Sequence, residues 1–490
     1  MAEIFWDGFD KYGLPNAAMS SSTMGGEWTG LPPNFGGLVA GRFTGSVALQ
    51  IGYGQSATRS LPANYPRLIG GVAIQSTLSN NSGILFSDAG TNQCSIGITP
   101  QGKIVLWQGG LGGTQIAIAS NAITANSWHY VEWDLTFAAT GAYTVWLDGA
   151  QVFTGTGNLK SSSNAYANTV ALSGYACNFD DMYLFDNTGA TNNSVRGDSR
   201  VETLFPTADA SVSFTPGQGV IGAYYNLAGS SSSISGNTLF LRRYIPSVGG
   251  TLANVCVLPQ SSAASANFRP VVYADNAGSP GTLLTTGAQV TGATTGTTII
   301  MPLTTPQTLV AGTAVWLGYM CDTTISMSRQ DNSSYPTSAG YSASVTYSSG
   351  APSTAPSMSS GQVSLQIWGT VTGIASNFGE INQAQAGGDL SYVASNTVGQ
   401  EDRYAFASLS SSPSNIAGVK VSALVRKSDS GARTVSLQLK SGSTEVAGSA
   451  QAPGTSYTYL NAYFDNDPNT GATWTASGVN SLTAGAKIAS

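Results

Sequence analysis

Residues 128–135 read Trp-His-Tyr-Val-Glu-Trp-Asp-Leu, and residues 143–153 read Tyr-Thr-Val-Trp-Leu-Asp-Gly-Ala-Gln-Val-Phe. Side chains alternate across a strand, so Val131, Trp133 and Leu135 share one face. Tyr143, Val145 and Leu147 do the same on the next run, and Asp148-Gly149 supplies the positive φ values of a tight hairpin. Short alternating runs recur along the chain, broken by Gly, Asn and Pro. Arg67–Ser76 is one and Gly83–Ser87 another, while Cys94–Ile98 is expected to pair with Lys103–Trp107 across residues 99–102. A period of two, repeated this often, predicts an all-β protein of stacked sheets.

Composition narrows the class. Only 9% of the 490 residues are charged, against about 25% in ordinary soluble domains. Hydrophobic residues make up 41%, enough for large cores. Net charge is −6 and no basic run occurs, which argues against nucleic-acid binding. Met1-Ala2-Glu3 is acidic, so no export signal is expected at the start. No apolar run approaches the roughly 18 residues of a membrane span. The combination predicts a chain made in a cytoplasm with the composition of an extracellular one. Cys94, Cys177, Cys256 and Cys321 lack any C-x-x-C spacing and are expected as small buried hydrophobes.

The chain divides at Asn178–Pro206. An alternating run through Asp180-Asp181-Met182-Tyr183-Leu184-Phe185-Asp186 gives way to a polar, Gly/Asn-rich connection, and Arg200–Phe205 alternates again before Pro206. This stretch resembles the hinge of tailed-phage structural proteins, in which a sandwich ending D-D-x-Y-x-x-D runs into G-D-x-R-V-E-T-L-x-P. Ile4–Asp10 is similar to the D-G-F-D opening of the same proteins. The pairing of W-H-Y-V-E-W-D with V-W-L-D-G-x-x-V resembles the laminin-G and concanavalin A-like superfamily. The segment Asn396–Phe406, with V-x-A-L-V-R-K-S-D-S-G-A-R-T and D-P-N-T-G-A-T-W-T beyond it, resembles the C-terminal half of the phage family.

The resemblance implies a concanavalin A-like sandwich over residues 1–190, a linker over 191–198, and a discontinuous β-sandwich over 199–216 and 373–490. Residues 217–372 would then be an inserted domain. Within them V-Y-A-D-N-A-G-S-P-G-T-L-L and L-x-A-G-T-x-x-W-L resemble jelly-roll domains, some of which bind carbohydrate. Residues 199–216 are expected as a strand, and residues 416–427 and 432–440 as a hairpin around 428–431.

Catalysis finds little to work with. His129 is the single histidine, which excludes a multi-histidine zinc site within one chain. Glu132 and Asp134 supply two acids of an E-x-D-x-x-E glycosidase pattern without the third, and are expected on the outward polar face of a half-buried strand. No catalytic residues are assigned. Asp180, Asp181 and Asp148 are candidate calcium ligands, because loop carboxylates in this superfamily sometimes hold that ion; turn capping is the alternative. Tyr224, Tyr225 and Tyr273 are candidate sugar-stacking residues, with core packing as the alternative. Arg196-Gly197-Asp198 spells an adhesion tripeptide that the resemblance assigns to the linker.

The resemblance implies a non-enzymatic virion structural protein, exposed on the particle surface as a tail appendage or decoration. It would be assembled in the host cytoplasm, with other virion proteins and further copies of itself as partners, and with weak contacts to host-surface glycans. A lectin-like host-adsorption protein is the main alternative; a polysaccharide depolymerase and a bacterial adhesin are others.

Overall fold

The structure, a computed structural model, describes residues 3–15, 24–31, 37–189, 191–217, 219–222, 231–246, 249–261, 265–292, 294–330, 340–360, 364–373, 376–383, 386 and 388–490. Nearly all of its regular elements are strands, as the alternation requires. They form two compact units, residues 1–205 with 397–490, and residues 206–396.

The first unit opens with a two-sheet sandwich. In one sheet the strands Ala150–Gly157, Gly141–Leu147, Trp128–Thr136, Arg67–Ser76, Cys177–Phe185, Val47–Ile51 and Gly37–Ala40 lie in that order, with Glu3–Asp7 also pairing Cys177–Phe185. In the other the order is Gln55–Tyr65, Ala167–Gly174, Ser82–Asp88, Thr91–Ile98, Lys103–Gln108 and Thr114–Ala122. Val131, Trp133, Leu135, Tyr143 and Val145 all face the core between them. The 128–136/141–147 hairpin pairs Trp133 with Val145. The turn between Gly141–Leu147 and Ala150–Gly157 has Asp148 at φ 51° and Gly149 at φ 80°, as the Asp-Gly pair predicts. Cys94–Ile98 pairs Lys103–Gln108 as expected.

Gly70 and Gly71 make the centre of this sheet possible. A Cβ on Gly70 would lie 2.5 Å from the Trp133 ring, and one on Gly71 would lie 2.6 Å from Tyr183 and 2.8 Å from Tyr130. Large aromatics therefore occupy both faces of the sheet at one level. The second face is itself covered: Trp6, Ile69, Ala73, Tyr130, Tyr183 and Phe185 are buried there, with Val195, Val201 and Tyr463 packed against them.

That cover corrects two expectations. Residues 200–205 are not a strand; the strand begins at Pro206 and runs Pro206–Ser211. Val201 instead lies against the sandwich, its carbonyl oxygen 2.0 Å from where a Cβ on Gly8 would stand. Only glycine fits at that position. Nor do residues 416–427 and 432–440 form a hairpin. Val419–Val425 pairs with Thr458–Phe464, whereas Val435–Ser441 pairs with Thr444–Ala447 and Thr483–Ile488. The turn signal at 428–431 is genuine, since Asp429 Oδ1 accepts from Gly431 N at 2.7 Å. It turns the chain from one sheet into another.

The second unit holds the jelly-roll-like sheets. Strands Ser279–Thr286, Asn267–Asn276, Val315–Cys321, Thr238–Tyr244, Tyr341–Ser344 and Ser359–Ser360 lie in order, and Gly219–Gly222, Ile367–Thr372, Gly250–Val257 and Ile299–Leu309 form another sheet. Val255, Phe268, Met301, Leu317 and Ile367 share the core. The insertion expected at 217–372 lies wholly inside this unit, and its flanks group with it. Thr215–Pro216 pairs Val393–Ala394. Asp209 accepts from the backbone N–H groups of Asn377 at 3.0 Å and Phe378 at 2.7 Å. These contacts tie 206–216 to 373–396, so the compact units divide at 205/206 and 396/397. All four cysteines are buried and unpaired.

Candidate functional site

Of the polar residues singled out in the sequence, Asp180, Asp181, Glu132 and the Arg196-Gly197-Asp198 tripeptide engage the hinge. The strand Cys177–Phe185 bulges after Asp180, and Asp181 takes a φ of 50°. That conformation is uncommon for a non-glycine residue and is worth a cause. Here it turns two consecutive carboxylates toward different donors. Asp180 Oδ2 accepts from Arg42 N at 3.0 Å, and Asp180 Oδ1 from Asp181 N at 2.8 Å. Asp181 Oδ1 accepts from Val201 N at 2.8 Å, while Oδ2 lies 3.3 Å from the Arg42 guanidinium. Arg42 reaches on to Asp198 at 2.5 Å and donates to Ser199 O at 3.3 Å.

Burial, with Asp181 beside it, pushes the Asp180 carboxyl up to about 8. Burial raises Asp181 to about 6 against the opposing pull of Val201 N–H and Arg42. It raises Asp10, whose Oδ1 accepts from Val47 N at 2.7 Å, to about 7.

Calcium does not fit this donor set. The Arg42 guanidinium, 3.3 Å from Asp181, already supplies the positive charge beside this pair, and each of the four carboxylate oxygens already takes one donor. Asp148 is bonded elsewhere, to His129 Nδ1 and to Tyr130 N, both at 2.8 Å. Among the described residues no group of three or more His, Cys, Asp or Glu is placed to hold a metal.

Glu132 departs from its expected outward position. It is 2% exposed, because the linker folds over it. Its Oε1 accepts from Tyr183 OH at 2.5 Å, Arg196 N at 2.9 Å and Gly197 N at 2.7 Å. The Arg-Gly-Asp tripeptide is thus held at all three positions, its Asp198 by Arg42. Asp134 forms a two-pronged pair with Arg67 at 2.7 and 2.6 Å. The two acids of the glycosidase-like pattern therefore have separate structural partners.

Tyr273 is fully buried and donates to Pro352 O at 2.8 Å, so the core reading holds for it. Tyr224 and Tyr225 lie outside the described residues. Sequence reasoning missed a different aromatic pair. Tyr53 is 75% exposed and packs edge-on against Tyr175, ring centroids 5.5 Å apart. The two sit in the turns before Gln55–Tyr65 and before Cys177–Phe185, at the end of the latter strand remote from the linker. The only hint in the sequence is a tyrosine between two glycines, Gly52-Tyr53-Gly54.

Also missed was a buried charge network within the first unit. Glu27 is 4% exposed. It accepts from Tyr12 OH at 2.7 Å and Asn461 Nδ2 at 2.7 Å, lies 3.4 Å from Arg59, and pairs with Lys11. Despite burial, Lys11, Lys420 and Arg59 hold its carboxyl well below the usual range. Asp7 accepts from Tyr12 OH at 2.6 Å and Trp28 Nε1 at 2.9 Å. Lys420 donates to Trp6 O.

No family model matches the chain, and no curated protein does. Solved structures similar to parts of it include an endo-β-1,4-glucuronan lyase from the fungus Trichoderma reesei. That match has 13% identity, 29% of this chain and 83% of that one, and a TM-score of 0.24. Domain 4 of an extracellular arabinanase from Geobacillus stearothermophilus matches at 16% identity, over 38% of this chain and 93% of that one, with a TM-score of 0.27. The carbohydrate-binding module CBM66 from Bacillus subtilis matches at 12% identity, over 36% and 99%, with a TM-score of 0.25. These are β-sandwich likenesses and carry no argument about substrate or partner.

Proposed function

We propose that this chain is a non-enzymatic structural protein of a virus particle, displayed at the particle surface and making weak, repeated contacts with host glycans. The observation that carries this reading is the hinge. The residues of Asn178–Pro206 that resemble the tailed-phage motif bond to one another and to the sandwich: Asp181 to Val201 N, Asp198 to Arg42, and the 196–197 amides to Glu132. A motif with these polar groups engaged in holding the chain in place supports a role in architecture. The acids that a depolymerase would need are engaged in the same way. Partners on this reading are other virion proteins and further copies of the chain, in closed symmetry.

The test is proteomic analysis of purified particles from the host that carries the gene. Peptides of this chain should appear in fixed ratio to the major capsid protein. Their absence, or release of reducing ends from host polysaccharide by the pure protein, would overturn the reading.

The lectin-like alternative is favoured by one observation, the exposed Tyr53–Tyr175 pair. Aromatic faces at the surface suit the apolar face of a sugar ring. Glycan-array retention lost on Tyr53→Ala would make adsorption the main task.

A further inference from the structure

The buried network holds one cation too many. Among the described residues the network holds two carboxylates, Asp7 and Glu27, and three cations, Lys11, Arg59 and Lys420. Lys11 is well matched: it pairs with Glu27, lies 3.9 Å from Asp7, and sits 4.9 and 4.8 Å from the Tyr12 and Tyr459 ring centres. Lys420 is the excess. Its nitrogen meets a carbonyl oxygen, that of Trp6, and the Phe5 ring 5.5 Å away. Burial, and then the charge of Lys11, lowers its pKa to about 7. A lysine in that state carries a lone pair and is a nucleophile.

A carboxamide lies diagonally across the strand pair from it. Lys420 lies opposite Tyr463 and Ser422 opposite Asn461 in the antiparallel pair. Lys420, Ser422, Asn461 and Tyr463 therefore share a face, and Lys420 and Asn461 are diagonal neighbours. Diagonal neighbours stand about 7–8 Å apart, within reach of a long side chain. The Asn461 amide is gripped at both ends. Ser422 Oγ donates to its Oδ1 at 2.6 Å, and its Nδ2 donates to Glu27 Oε1 at 2.7 Å.

We propose that Lys420 and Asn461 join in an intramolecular amide cross-link, with Glu27 as the proton carrier and Ser422 as the donor to the carbonyl oxygen. The Lys420 nitrogen leaves the Trp6 carbonyl and attacks Cγ of Asn461, forming the new C–N bond. Ser422 holds the charge that develops on Oδ1. Glu27 takes a proton from the attacking nitrogen and delivers it to Nδ2, where it already accepts a hydrogen bond. The Cγ–Nδ2 bond breaks and ammonia leaves. Amine plus primary amide gives secondary amide plus ammonia, with no oxidant or cofactor. The product would add a covalent strut to the hydrogen-bonded pair of Val419–Val425 and Thr458–Phe464.

The exposed stretch between these strands provides the test. Arg426 and Arg433 are exposed, so brief trypsin treatment of the folded full-length protein should cut there. On a denaturing gel the fragment carrying Lys420 and the fragment carrying Asn461 should still migrate together. The intact chain should also be lighter than its sequence mass by one ammonia, and fragmentation of the joined peptides should place the bond at Lys420 and Asn461. Lys420→Met and Asn461→Ala should each restore the full mass and let the fragments separate. Wild-type protein of full sequence mass with separating fragments would overturn the proposal. So would a loss of ammonia without joined fragments, which marks a succinimide within one peptide.

Discussion

Glu132 shows how far one side chain's role can lie from its sequence context. By spacing it belongs to a catalytic-looking run, yet three donors converge on a single oxygen of it, two of them backbone amides of the linker. Removing a buried acceptor leaves those donors unsatisfied, at a cost of about 1–3 kcal/mol. Glu132→Ala should therefore lower unfolding stability by that amount in a denaturant titration, with Glu132→Gln, which keeps an acceptor oxygen, losing less. Neither should alter any polysaccharide. Titration adds a second expectation. Burial raises Asp10 to about 7 and Asp180 to about 8; burial, with Asp465 adjacent, raises Glu3 to about 7. A carboxyl whose folded pKa exceeds its unfolded value contributes stability in acid and loses it as pH rises through the folded pKa. Glu27 has the opposite sign, but its contribution is lost only as pH falls below the ordinary carboxylate range. The first unit should accordingly melt at a higher temperature near pH 5 than near pH 8, and Asp180→Asn should flatten that difference. A melting temperature that rises steadily from pH 5 to 8 would contradict the assignment.

At the level of elements, the strands and the hairpin around Trp133 were legible because their signals are local: period two, and Asp-Gly at the turn. The four buried cysteines were legible for the same kind of reason, composition and spacing. What was not legible depended on a distant segment. Glu132 is buried because residues 195–201 fold over it, and nothing near position 132 announces that. Residues 416–440 looked like a hairpin because Ser428–Gly431 is a good turn, yet the partner of Val419–Val425 is Thr458–Phe464. The candidate site fared likewise. Asp180 and Asp181 were singled out as calcium ligands or turn caps, and their partner Arg42 is separated from them by more than half the sandwich sequence. The division at 205/206 and 396/397 carries its own expectation. Replacing residues 206–396 by a short Gly/Ser bridge should leave a cooperatively melting, β-rich remnant built from 1–205 and 397–490. Loss of its near-ultraviolet circular dichroism would mean that the second unit is needed to fold the first.

Over the whole molecule charge is scarce, and some of it is buried, at the hinge and around Glu27. Ion pairs that are buried and hydrogen-bonded set which segments meet more than they add net stability; here they join segments of the first 205 residues, and the hydrogen bonds of Lys420 to Trp6 O and of Asn461 to Glu27 bring in the last part of the chain. The split unit has a consequence in time. Tyr463 helps cover the sheet face that carries Trp6, Tyr183 and Phe185. During synthesis residue 205 emerges 285 residues before residue 490, an interval of roughly 15–60 s at about 5–20 residues per second. Before the C-terminal part is made, Trp6 and its neighbours have Val195 and Val201 but lack Tyr463, and Lys11 and Glu27 wait for Asn461. The nascent protein thus passes through a sticky half-built state on every ribosome, and its yield in a cell should depend on how quickly the last hundred residues arrive.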